Sequence, residues 1–229
     1  MKKAAVLWTG GKDCAFALMD SIGKYNIVKL ITFVPENHEE FFAHSIEVMK
    51  AQAYSIGLPH ELIEVKEPFK EGYVAAMHQI KKSNIEVLIT GDISTVDGHP
   101  NWITECASGI IDVDMPLWEL ERKSLMKRID EDQFKVVCSL SYKKYFEETI
   151  TGRMLNPAFV AELLQMENEG KIDACGENGE YHTMVLSAPY FKYDLIIMEA
   201  EMFEEDTFNY LRIRNIDSSV KRSSPIEIS

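Results

Sequence analysis

LWTGGKDC, residues 7–14, sets two glycines, a lysine and an aspartate directly after a short apolar run near the start of the chain. A glycine pair lets the backbone take positive φ and approach a ligand closely, and successive amide N–H groups in such a turn converge on one point. A helix beginning there adds the partial positive charge of its N-terminus. The stretch predicts strand, anion-binding turn and helix, with phosphate as the fitting anion. Taken alone, it also suits an ordinary strand-to-helix turn with a solvated lysine.

Working outward, residues 3–9 read as a buried strand and 13–24 as a helix, followed by a strand over 27–34. Apolar residues at helical spacing over 41–56 end at Gly57 and Pro59, a strong stop. A short strand over 62–65, a helix over 70–82, a strand over 85–90, helices over 102–108 and 124–130, and a strand over 134–140 complete the series. Strands that alternate with helices and are apolar on both faces form a parallel sheet covered on two sides. Such α/β sheets bind ligands outside the carboxyl ends of their strands, where TGGKD and GDIST (residues 91–95) both fall. Beyond residue 140 the pattern changes. Asn156 and Pro157 introduce a helix to about residue 169, a polar glycine-punctuated loop covers 173–183, a small hairpin with an acidic connection suits 194–213, and 221–229 reads as a mobile tail. The expected organisation is an α/β domain over 1–142 and a smaller α+β region over 143–229.

Composition narrows the function classes. Acidic residues number 37 against 24 basic ones, a net charge of −13, which repels phosphate backbones and argues against a nucleic-acid partner. Cys14, Cys106, Cys138 and Cys175 form no C-x-x-C pair, so neither a disulfide framework nor a zinc knuckle is expected, and a reducing cytoplasm fits. MKKAAVLW opens like a signal peptide, but its apolar stretch is short and runs into TGGKD, as a first strand would. No apolar run reaches membrane-spanning length, so no membrane association is expected.

TGGKDC lacks the spacing of a Walker A loop and the G-x-G-x-x-G of a dinucleotide fold. In GDIST, Gly91 and Asp92 end a strand beside the crevice, where the aspartate suits magnesium, a ribose hydroxyl or simply a turn. Trp102 and Glu105 lie three apart on one helix face, an arrangement that lines a pocket or packs in a core. GENGEYHT (residues 176–183) crowds Glu177, Glu180, His182 and Thr183 into one short loop. Close carboxylates raise one another's pKa toward the range where proton transfer is efficient, although a solvated acidic turn or an E-x-x-E-x-H metal site has the same composition.

TGGKDC resembles the S-G-G-x-D-S turn of the PP-loop ATP pyrophosphatases, which cleave ATP between the α and β phosphates. Together with GDI, the W-x-x-E-C of residues 102–106, PLW (116–118), T-G-R (151–153) and CGENGEYHT (175–183), it places the chain among proteins similar to the diphthine-ammonia ligases, over most of residues 4–192. The resemblance implies a Rossmann-like domain with ATP and Mg2+. Thr9, Gly10, Gly11, Lys12, Asp13, Cys14, Gly91 and Asp92 would lie at the nucleotide, with Asp13 bracing the loop or holding magnesium. Cys14 departs from the pattern's serine, and a thiol donates weakly. A cysteine at a helix N-terminus acquires a lowered pKa or stays an inert half-buried thiol. Trp102, Glu105, Arg153, Tyr181 and Thr183 would hold the substrate; Glu180 or His182 would be the base, with Glu177 positioning ammonium or substrate.

The family reaction amidates the carboxylate of diphthine, a modified histidine on elongation factor 2, with ATP and ammonium. No separate glutaminase region is evident, so free ammonium or a partner is the expected nitrogen source, and homo-oligomerisation stays open. Amidation or adenylation of another, small carboxylate, or a nucleotide sensor without turnover, would use the same motifs. The sequence separation further suggests a division of labour, with the N-terminal turn holding phosphate and the distant GENGEYHT loop moving protons.

Overall fold

The computed structural model describes residues 1–35, 45–95, 102–221 and 224–228. Five strands, β1 (Lys3–Leu7), β2 (Asn26–Pro35), β3 (His60–Val65), β4 (Val87–Ile89) and β5 (Asp112–Asp114), form a parallel sheet in the order β3-β2-β1-β4-β5. The expected parallel α/β layer is therefore present, with a fifth strand that its acidic three-residue sequence DVD concealed.

Alternate residues of β1 serve two cores. Ala4 and Val6 belong to the core that buries α1 (Lys12–Ser21) and α2 (Ile46–Ile56). Ala5 faces the other core, with Ala76, Met77 and Ile80 of α3 (Phe69–Lys82) and Ala107 of α4 (Trp102–Ala107). That is the period-two alternation of a strand buried on both sides. The start of α2 shows a local signal, since the Ser45 hydroxyl accepts a hydrogen bond from Val48 N at 3.3 Å. Residues 41–44, expected to begin this helix, lie outside the described residues.

The strand expected over 134–140 is real but belongs to a different sheet. As β6 (Lys135–Tyr142) it pairs antiparallel with β7 (Tyr181–Ser187) and β9 (Phe208–Val220), and β8 (Tyr193–Glu204) completes the order β7-β6-β9-β8. An apolar run such as KVVCSL suits either environment, so periodicity alone does not choose its partners. Helices α5 (Arg122–Glu131) and α6 (Pro157–Asn168) pack against each other and bury their apolar faces in the main core, α6 being capped by Asn156, whose Oδ1 accepts from Phe159 N at 3.0 Å. The hairpin is longer than expected, with strands of 12 and 13 residues. The tail is also less free than expected. Ile226 N donates to Pro189 O at 3.1 Å, and Ile228 packs on the main core. Among the described residues no helix is long and apolar enough to cross a membrane.

β1 lies between β2 and β4, so the chain changes direction of winding there. The crevice outside the carboxyl ends of β1 and β4 is the binding position this topology creates.

Candidate active site at the sheet switch point

The turn after β1 carries the features read from sequence. Gly10 has φ +80°, and a Cβ built on it would stand 2.6 Å from Gln52 Oε1, so both conformation and space require glycine. Gly11 is the N-cap of α1 and, having no side chain, supplies no cap of its own to the first turn, which opens at the crevice. On the neighbouring loop Gly91 packs onto the start of the same helix. A Cβ there would lie 2.6 Å from both Asp13 C and Cys14 N. GDIST and TGGKD are thus pressed together backbone to backbone.

The turn is braced from behind by Gln52, which sequence reading missed. Its Nε2 donates to Gly10 O at 2.9 Å and Val185 O at 2.8 Å, while its Oε1 accepts from Trp8 Nε1 at 2.9 Å. Gln52 and Trp8 are both fully buried. We expect Gln52→Leu to destabilise the protein by about 3 kcal/mol, because it strands buried polar groups that cost roughly 1–3 kcal/mol each. Urea denaturation measures this, and a loss below about 0.5 kcal/mol, the size of an ordinary surface substitution, would contradict it.

The expected separation between N-terminal turn and C-terminal loop does not exist. Lys12 N donates to Thr183 Oγ1 at 3.1 Å, and Val185 N donates to Gly10 O at 2.9 Å, so β7 forms one wall of the turn. The Lys12 side chain is 2% exposed. Its ammonium donates to Cys175 O at 2.5 Å and to Asp13 Oδ2 at 2.8 Å, and lies 5.6 Å from the centre of the Tyr181 ring. Burial works against its charge, but the Asp13 carboxylate beside it raises its pKa above the usual lysine range. Lys12 therefore joins the two halves of the site as a fixed internal cation. Tyr181, whose hydroxyl donates to Ala174 O at 2.5 Å, is the buried ring against it.

GENGEYHT separates into parts with different surroundings, since Tyr181, His182 and Thr183 lie on β7 rather than in the loop. Glu180 is 1% exposed, and its carboxylate accepts from Asp173 N at 2.7 Å, Asn178 N at 3.0 Å and Asn178 Nδ2 at 3.3 Å, which ties the loop into its turn. His182 is turned to the ring of Tyr142, 6.5 Å between centroids, and burial together with the Lys12 charge lowers its pKa to about 4.

Glu177 has the character of a base tuned to neutrality. Burial first, and the Asp13 carboxylate second, raise its pKa to about 7, while its Oε2 accepts from Ile93 N of the GDIST loop at 3.2 Å. Its charged neighbour in this effect is Asp13, not Glu180 as the loop composition suggested.

Asp13 Oδ1 is buried without a hydrogen-bond partner. Among the described residues no group of three or more His, Cys, Asp or Glu side chains gathers to hold a metal. Mg2+ is commonly bound through one or two carboxylates plus substrate phosphates, and a single orphaned carboxylate oxygen beside an anion-binding turn fits that arrangement. Asp92 accepts a hydrogen bond from Thr90 Oγ1 at the end of β4.

Cys14 does not point into the crevice. Its thiol donates to Gly11 O at 3.1 Å, and burial raises its pKa to about 11, which makes it an inert brace rather than an activated thiol.

Three of the expected substrate residues lie elsewhere. Trp102 packs edge-on to Tyr73 at 6.3 Å, and Glu105 pairs with Lys70 at 2.5 Å, both on the α3 side of the parallel sheet and across it from α1. Their shared helix face was legible, but not the side of the sheet that carries it. Arg153 stacks on Phe159 at 3.7 Å, pairs with Glu162 at 2.8 Å and lines a separate cavity of about 620 Å³.

Residues 1–109 match the family model of the diphthamide synthase N-terminal domain, and residues 121–218 match that of the diphthamide synthase C-terminal domain. A diphthine–ammonia ligase from Mus musculus is 22% identical over 97% of this chain and 94% of its own length. Among solved structures, a predicted subunit of tRNA methyltransferase from Methanocaldococcus jannaschii is 16% identical with a TM-score of 0.41, over 82% of this chain and 98% of that one.

Proposed function

Given that the chain belongs to the diphthamide synthase family and is an ATP-dependent ligase, we propose that it adenylates the carboxylate of diphthine on elongation factor 2 and amidates it with ammonium. A carboxylate repels nucleophiles until its charge is removed. Attack of its oxygen on the α-phosphorus of ATP, with loss of pyrophosphate, yields an acyl-adenylate. The N-terminus of α1 and the turn at Gly10 and Gly11 stabilise the charge that develops on the departing pyrophosphate. Asp13 would help hold Mg2+ at the ATP phosphates, where the ion would supply neutralisation of phosphate charge.

Ammonium then gives a proton to Glu177, ammonia forms the C–N bond, the bond from acyl carbon to AMP oxygen breaks, and the second nitrogen proton leaves to solvent to give the neutral amide. Glu177 suits this step because a carboxylate with a pKa of about 7 is about half ionised at neutral pH and accepts a proton readily. This carboxylate, poised beside the anion-binding turn, is the observation that carries the reading. Glu180 acts through the loop it folds, and Thr183 and Lys12 through the wall they build.

Incubation of the protein with diphthine-bearing elongation factor 2, ATP and ammonium should give AMP, pyrophosphate and a protein-borne amide, detected by mass spectrometry. ADP as the sole nucleotide product would overturn the chemistry. Amide formed on a small free acid but never on the protein would overturn the assignment of the substrate alone.

A further inference from the structure

We propose that Arg122, which lies in none of the motifs that mark the site, is a positioning residue for the amidation step: it latches the GDIST loop to the C-terminal loop and thereby fixes Glu177. The inference rests on the assignment of Glu177 as the base. Arg122 is the first residue of α5 and is largely buried, its side chain 18% exposed. Two arms of its guanidinium reach in different directions. Nε donates to Asp173 Oδ2 at 2.8 Å, and Nη2 donates to Ser94 Oγ at 2.7 Å.

Each end of this bridge continues into the site. Asp173 accepts from Cys175 N at 2.7 Å through its other oxygen, and Cys175 O receives the Lys12 ammonium. Asp173 N also donates to Glu180. On the other side, Ser94 follows Ile93, whose N–H holds Glu177 Oε2 and whose O accepts from Glu119 N at 2.7 Å. One guanidinium thus closes a path through all three loops of the crevice. A planar fork with donors in two directions suits this, whereas a lysine ammonium at the same place is a point charge without the fork geometry.

The latch should act on the placement of Glu177 and not on ATP. Misplacement of a catalytic group by about 1 Å costs up to about a hundredfold, so Arg122→Gln should lower kcat/KM for ammonium by roughly ten- to a hundredfold. KM for ATP and pyrophosphate–ATP exchange should change little. Ser94→Ala, which removes one arm's partner and spares the fold, should show a smaller loss with the same split. In a Glu177→Gln background, Arg122→Gln should cost almost nothing more, because residues acting through one group are not additive.

Hydrogen exchange read on the peptide spanning residues 91–95 should speed up in both Arg122→Gln and Ser94→Ala, an effect that needs no turnover. Unchanged exchange there would overturn the latch. A full additive loss in the Glu177→Gln background, or a rise in ATP KM as large as the loss in amidation, would do the same. If the unsubstituted protein fails to exchange pyrophosphate, the ligase reading fails, while hydrogen exchange still decides the latch.

Discussion

Glu177→Gln should reduce amide formation by about two to four orders of magnitude, the contribution of a positioned general base, while pyrophosphate–ATP exchange continues. Forming the acyl-adenylate removes no proton from ammonium, so only the second half of the reaction should suffer. The pH profile gives the same residue a second signature. Burial and the neighbouring Asp13 charge raise the Glu177 pKa to about 7, and the base works only when ionised. The kcat/KM for ammonium should therefore fall as pH drops below about 7, with a limb that belongs to the enzyme form that meets ammonium and is separate from the titration of ammonium itself. That limb should vanish in Glu177→Gln, and free ammonia supplied at higher pH should partly restore the amide. Equal losses of exchange and amidation would place Glu177 at the nucleotide instead.

Gly91→Ala should have the largest effect on ATP. The added methyl would sit 2.6 Å from the backbone of Asp13 and Cys14, with no flexible side-chain end to yield. Either the GDIST loop or the start of α1 must move, and overpacking of this kind typically costs about 1–3 kcal/mol. Because the displaced atoms belong to the anion-binding helix start and to Asp13, we expect ATP affinity to fall at least tenfold, measured by equilibrium dialysis, with the melting temperature also lowered. Wild-type affinity in this variant would mean that the two loops do not share the nucleotide.

Much of the α/β layer was legible because its signals are local. A glycine turn after an apolar run and a glycine stop each act within one turn of chain. The second sheet was less legible. KVVCSL is apolar in either kind of sheet, and only its pairing with β7 and β9 reveals which one it joins. DVD was too short and too acidic to read as a strand, yet it completes the parallel sheet beside β4. Gln52 has no local mark at all, since its role comes from three groups brought to it by β1, the glycine turn and β7.

The site shows the same division. The residues of GENGEYHT were recognisable as chemically dense, but their roles depend on where each side chain points. Sequence pointed to Glu180 or His182 as the base and to Glu177 as a positioning group, whereas Glu180 is tied into its own loop by hydrogen bonds and burial lowers the His182 pKa to about 4. Lys12 read as a phosphate ligand from its place after two glycines. Its contacts with Cys175, some 163 residues away, turn it inward instead.

On the proposed reading the carboxylate is activated by attack of its oxygen on the α-phosphorus of ATP, bound at the turn after β1, with loss of pyrophosphate. The most direct test is to supply the acid with heavy oxygen in its carboxylate and follow the label through a single turnover by mass spectrometry. An acyl-adenylate leaves one carboxylate oxygen on phosphorus when ammonia displaces AMP, so the label should appear in AMP and be absent from pyrophosphate. Label in inorganic phosphate, with ADP as the companion product, would show attack on the terminal phosphate and contradict the account.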